Sequence, residues 1–164
     1  MGLPYFLALL AEAYGKTGQV EKGLAALAEG LAVVDRTAQR GLEAALYRLK
    51  GQLTLQQFKV QSSKFKVDNP QSAFRNPQSE AEACFLKAIE IAQKQQAKSW
   101  ELRATTSLAR LWQQQGKQHE ARNTLSEIYH WFTEGFDTRD LQDAKVLLDE
   151  LAANSSCLRE GISR

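Results

Sequence analysis

The sequence predicts an all-α chain of stacked helical hairpins, an α-solenoid, from three observations. Apolar residues recur at helical spacing along nearly all of its 164 residues. No run of alternating β-branched residues marks a strand. The stretch Leu7–Val34, LALLAEAYGKTGQVEKGLAALAEGLAVV, returns in degenerate form as TSLARLWQQQGKQHEARNTLSEIYHW. A repeated hairpin of this kind buries its apolar face by stacking on its neighbours.

Taken in order, helices are expected at roughly 3–15, 19–35, 38–57, 79–96, 98–115, 118–132 and 138–152, about three hairpins and a C-terminal capping helix. The first hairpin turns at Gly15-Lys16-Thr17-Gly18 and the third at Gln115-Gly116-Lys117, where glycine can take the left-handed conformation that ends a helix. Neither is a phosphate loop, because GxxxxGK followed by Ser or Thr after a strand is missing. In the last helix Asp137 is placed as N-cap, Asp140 lies in the first turn, and Phe136 is spaced from Leu141 as a hydrophobic staple. Leu141, Val146, Leu147, Leu148 and Leu151 give it an apolar face, while Arg139, Asp143, Lys145 and Asp149 solvate the other. Beyond Ala153 the tail is expected to fray.

The chain divides on this reading into 1–57 (first hairpin and first helix of the second), an insertion at 58–78, the remaining hairpins and cap at 79–153, and a tail at 154–164. Within the insertion Phe58-Lys59-Val60 recurs as Phe65-Lys66-Val67, and Asn69-Pro70-Gln71-Ser72 recurs as Asn76-Pro77-Gln78-Ser79. A polar, proline-bearing tandem repeat of this sort is expected to be a flexible low-complexity loop. Its alternative is a basic recognition loop through Lys59, Lys64, Lys66 and Arg75.

Composition narrows the function. A net charge of +2 with both signs interspersed gives no basic footprint for nucleic acid or an anionic membrane. The apolar run Leu3–Leu10 is short and is followed by Glu12, so neither a signal peptide nor a membrane span is expected, and a cytoplasmic location follows by default. Cys84 sits in a helical pattern as a buried structural thiol, and Cys157 in a polar tail. His119 and His130 lack zinc-ligand spacing, so no metal or other cofactor is expected. The acidic pairs Glu80 with Glu82 and Asp149 with Glu150 read as solvated faces. Ser126 and His130 lie four apart on one helix without an oxyanion donor, so no catalytic set assembles and the chain is not expected to be an enzyme. Trp100, Trp112, Trp131, Tyr14 and Phe85 are expected in the inter-helix core.

The hairpins resemble the tetratricopeptide repeat. In the first, Leu7, Leu10-Ala11, Tyr14, Gly18, Gly23, Leu27 and Gly30 fall at that family's signature spacings, with Asp35 in place of its terminal proline. In the third, Leu108-Ala109, Trp112, Gly116, Ala121 and Leu125 fit, while Thr105 replaces the leading aromatic and Ile128 a small residue, which predicts looser or shifted packing. The middle hairpin matches through Ala81, Phe85 and Ala88, and its first helix is open in register.

The resemblance implies a concave groove lined by the first helix of each hairpin, which takes a protein or peptide ligand. Its outward positions are Tyr5, Ala8 and Glu12, then Tyr47, Arg48 and Gly51, then Arg103, Thr106 and Arg110. Relatives that clamp chaperone C-terminal carboxylates use Lys and Asn where Ala8 and Glu12 stand, so that ligand class is disfavoured. The segment from Glu80 to Leu151 also resembles the C-terminal repeat region of large bacterial signalling ATPases fused to kinase or nucleotide-cyclase domains. That likeness implies a detached regulatory arm, or a scaffold that docks on such a module. Leu3, Phe6, Leu9 and Leu10 are expected to stay partly uncovered on the first helix, a place for that module or for a homodimer contact.

Overall fold

The computed structural model describes residues 2–37, 40–64 and 76–160, and their side chains apart from 61–64 and 154–160. Among the described residues the chain is all-helical: α1 Leu3–Lys16, α2 Val20–Thr37, a 3-10 turn Arg40–Leu42, α3 Glu43–Lys64, α4 Pro77–Lys94, α5 Lys98–Gln114, α6 Gln118–Tyr129 and α7 Arg139–Glu160. No helix among them is long and apolar enough to cross a membrane. Two compact units form, Met1–Ile91 and Ala92–Arg164.

Helix boundaries follow from local chemistry. Asn76 accepts the Gln78 amide N–H on its Oδ1 at 3.1 Å, and Pro77 at the first helical position has its φ already set, so α4 starts inside the expected insertion. Toward its other end, α3 runs on to Lys64, since no glycine or proline stands between Gly51 and Pro70. The rest of the insertion, 65–75, with its candidate basic residues Lys66 and Arg75, lies outside the described residues. α7 continues to Glu160, with no helix breaker between Thr138 and Gly161, and the rest of the expected tail, 161–164, lies outside the described residues. Thr138 rather than Asp137 occupies the N-cap position of α7. Its carbonyl accepts the first intrahelical bond, from Gln142 N–H at 3.0 Å, and its hydroxyl donates to the Gly135 carbonyl at 2.7 Å.

Three helix ends close in the same way. The Gln19 N–H donates to the Tyr14 carbonyl, Ala97 to Ala92 and Lys117 to Trp112, each at 2.9 Å. This six-to-one bond requires a left-handed residue just before the donor, and Gly18 and Gly116 supply it at φ 76° and 80°. Gln96 takes that role at φ 53°, a conformation that costs a side-chain-bearing residue about 1 kcal/mol.

In the first unit α1 and α2 form a hairpin and α3 packs on both. Glycines make this possible. A Cβ on Gly15 or Gly23 would lie 2.8 or 2.7 Å from a Leu53 methyl, and one on Gly30 3.2 Å from Leu46, so the two leucines of α3 occupy space that glycine leaves. Gln56 Nε2 adds a 2.8 Å hydrogen bond to the Gly15 carbonyl. Leu7, Ala11, Leu27, Val34 and Leu49 complete this core. On α3, Gly51 meets α4: a Cβ there would lie 2.7 Å from the Phe85 ring and 3.1 Å from the Ala81 carbonyl. That contact fixes the register the sequence leaves open.

In the second unit α5 and α6 form the hairpin and α7 packs on both. Leu102, Ala109, Ala121, Leu125 and Ile128 enclose Leu141, Ala144, Leu147 and Leu151. The two units correspond residue for residue at one constant spacing, that of Gly18 to Gly116: Gly23 to Ala121, Gly30 to Ile128, and Leu46, Leu49 and Leu53 to Ala144, Leu147 and Leu151. Bulk moves between partners. Gly30 faces Leu46 and Leu7 in one unit; in the other the equivalent residues are Ile128, Ala144 and Thr105, all buried. Ile128 is buried in one core cluster with Ala144.

Candidate functional site

Among the candidate groove residues, those of the second unit stand beside α7. A cleft of about 200 Å³ opens between the last turns of α5 and the middle of α7, with Arg110, Gln113 and Gln114 on one wall and Asp143, Val146, Leu147 and Glu150 on the other. It is smaller than the roughly 300 Å³ at which small-molecule sites begin, and suits one inserted side chain better than a cofactor. Arg110 is exposed at its rim, opposite two carboxylates. Gln113 Nε2 stands 3.4 Å from Glu150 Oε2, and Asp143 pairs loosely with Arg139 at 3.9 Å. Leu147 is buried while Val146 is 57% exposed, so the cleft carries charge, amide and apolar surface together.

Arg103 and Thr106 have other duties. Arg103 Nε donates to Asp140 Oδ2 at 2.6 Å, and its guanidinium lies 4.9 Å from the Trp100 ring centroid, which ties α5 to the start of α7. Thr106 is buried and its hydroxyl donates to the Leu102 carbonyl of its own helix at 2.8 Å. Its expected outward position is corrected, as α5 is covered there.

In the first unit Glu12 is exposed and pairs with Lys16 at 3.0 Å. Tyr5 is half-buried, its ring edge-on to Phe6 at 5.9 Å. Arg48 is half-buried and its Nη1 donates to Gln52 Oε1 at 2.9 Å; Tyr47 beside it is also half-buried. Two outward assignments fail here, since Ala8 is buried in the α1–α2–α3 core and Gly51 in the α3–α4 contact. With Gly51 placed, the exposed residue that follows each buried small residue is Glu12 after Ala11, Gln52 after Gly51 and Arg110 after Ala109. Gln52, Gln113, Asp143, Val146 and Glu150 escape sequence reasoning. The available signal is the constant spacing, which sets Val146 and Glu150 where α3 has Arg48 and Gln52.

His130 Nδ1 lies 2.7 Å from the Ser126 carbonyl, which only accepts, so that nitrogen carries the proton and cannot also take one from the Ser126 hydroxyl at 3.1 Å. The histidine closes the end of α6. Burial pushes the Cys84 thiol up, only partly opposed by Lys50 and reinforced by Glu80, so it stays a thiol at neutral pH. The side chain of Cys157 lies outside the described residues. Among the described residues no three His, Cys, Asp or Glu converge as metal ligands. Phe85 is buried as expected and Trp112, Trp100 and Tyr14 are half-buried, but Trp131 is not a core residue. It follows the end of α6, is 58% exposed, and carries Lys98 Nζ 5.6 Å from its ring centroid.

A scan of protein-family models finds none that matches the chain, and no curated protein matches it. The functional reading therefore rests on the geometry above.

Proposed function

We propose that the chain is a non-catalytic protein-interaction scaffold of tetratricopeptide type, an α-solenoid that works in the cytoplasm without a cofactor. The fold reading is supported by the repeated arrangement: a hairpin closed by a left-handed turn, small residues at the helix crossings, and a following helix packed on both members. The observation that carries the function is the α5–α7 cleft, whose opposed Arg110 and Glu150 flank an apolar floor at Leu147. Such a cleft recognises an extended peptide by one inserted side chain and by amide hydrogen bonds from Gln113 and Gln114.

Panning a phage-displayed random peptide library on the purified chain tests this. Enriched peptides should bind wild type and lose at least tenfold in affinity to Arg110→Glu and to Glu150→Lys, with helicity unchanged, because both residues are exposed. Absence of enrichment, or peptides that ignore both substitutions, would remove the cleft from the account.

A further inference from the structure

The two walls of the α5–α7 cleft differ in kind. On α5, Arg110, Gln113 and Gln114 all carry N–H donors, whereas the carboxylates of Asp143 and Glu150 on α7 offer acceptors alone. The helices run parallel in one register, since Arg103 bonds to Asp140 and Gln113 to Glu150, both 37 residues apart. In that register Arg110 stands level with Leu147, between the two acids. At a rise of about 1.5 Å per residue it lies about 6 Å past Asp143 along the axis and about 4.5 Å short of Glu150. Charge along the cleft therefore runs negative, positive, negative. Among the described residues Arg110 holds no ion pair, and the acids are held loosely, Asp143 by Arg139 at 3.9 Å and Glu150 by Gln113 at 3.4 Å.

We propose that the cleft takes an extended segment whose side chains on one face run basic, acidic, basic, at positions i, i+2 and i+4. The inference rests on the peptide-binding reading of the cleft and adds the chemistry of its ligand. Alternate side chains of an extended chain share a face at intervals of about 6.6 Å, so a basic one at Asp143 sets the acidic one opposite Arg110. The second basic side chain then falls about 2.5 Å beyond Glu150, within the span of a lysine or arginine stem. The acidic group accepts from the Arg110 guanidinium and the Gln113 and Gln114 amides, above the apolar floor at Leu147. Val146, largely exposed between the two acids, covers the stems of the basic residues. A lone basic side chain would leave Arg110 facing a like charge, and a lone acidic one would be flanked by two carboxylates. A helix is too wide to enter, for Gln113 and Glu150 reach across the cleft at 3.4 Å and a helix is about 10 Å across.

Fluorescence anisotropy with three labelled peptides on an alanine background is the test. Each carries two lysines and one glutamate at alternate positions, with the glutamate central, first or last. Equal composition and net charge cancel any general attraction. The wild-type chain should bind the isomer with the central glutamate about tenfold tighter than the other two. Arg110→Glu with Glu150→Lys makes the order negative, negative, positive, and should reverse the ranking in favour of an isomer with glutamate at one end. Both positions are exposed, so folding survives, as circular dichroism will register. Isomers bound alike, or a ranking that the double variant does not reverse, overturn the proposal. So does tighter binding of a helix-forming peptide with the same charges at i, i+4 and i+7. If no isomer binds while library-selected peptides still depend on Arg110 and Glu150, the charge order falls and the cleft stands. If the library also yields nothing, the cleft reading falls and takes this inference with it.

Discussion

The first and second units solve one packing problem with opposite distributions of volume. In the first, glycines at 15, 23 and 30 recede and the leucines of α3 advance into the space. In the second, Ala121 and Ile128 carry side chains, and α7 gives way with Ala144 in the place of Leu46. Bulk changes sides at the crossing of Gly30 with Leu46, where the second unit has Ile128 with Ala144, while at the crossing of Gly23 with Leu53 the leucine is kept as Leu151 opposite Ala121. Charge differs as well: acidic Glu12 on α1 stands where α5 has basic Arg110, and uncharged Ala45 and Gln52 on α3 stand where α7 has acidic Asp143 and Glu150.

The largest effect should come from the leucine that the glycines receive. Leu53→Ala is expected to cost about 4 kcal/mol, because Gly15 and Gly23 have no side chains with which to fill the void, whereas Leu151→Ala should cost about 1 kcal/mol less. Urea unfolding of both variants makes the comparison, and equal costs would mean that the two crossings collapse alike. Gly23→Ala should destabilise by about 1–2 kcal/mol despite its better helix propensity, since the new Cβ would stand 3.2 Å from the Ala11 carbonyl and 2.7 Å from Leu53. If it stabilises instead, the first unit has the slack of the second.

A smaller difference separates the units in salt. Arg103→Ala removes the clamp to Asp140, a partly exposed pair at 2.6 Å, and should cost about 0.5–1 kcal/mol at low ionic strength and much less in 0.5 M salt. The equivalent positions in the first unit, Tyr5 and Leu42, are uncharged, and Tyr5→Ala should show no such salt dependence in thermal melts. Smallest of all, Gln96→Gly should stabilise by about 0.5 kcal/mol by relieving the left-handed glutamine at the α4–α5 turn. No change in melting temperature would mean that its side-chain bond to the Gln93 carbonyl, at 3.0 Å, already offsets the strain.

Much of this was legible in the sequence, and the failures share a cause. Helical periodicity located the seven α-helices of the described residues, and Gly18 and Gly116 marked two turns, because those signals are local. The exposure of Leu3, Phe6, Leu9 and Leu10 on α1 could be foreseen as well, since its apolar residues outnumber what one hairpin can cover. Asn76-Pro77 was hidden by its upstream twin Asn69-Pro70: a cap motif repeated within a polar stretch reads as loop until one copy is seen to start a helix. Thr106 and Gly51 were misplaced because whether the outer side of a first helix is open depends on the next helix. That coverage is tertiary, and α7, read as a cap, supplied half of the cleft.

The volume exchange is the central claim, because the equivalence of the units underlies the repeat reading. A double-mutant cycle at Gly30 and Leu46 tests it by giving the first unit the residues of the second. Leu46→Ala alone should cost about 3 kcal/mol and Gly30→Ile alone about 2 kcal/mol. The double variant should recover at least about 1.5 kcal/mol of their sum, since the isoleucine fills the space the leucine leaves. Strict additivity in urea unfolding would contradict the account, showing that the crossings of the two units are not the same contact.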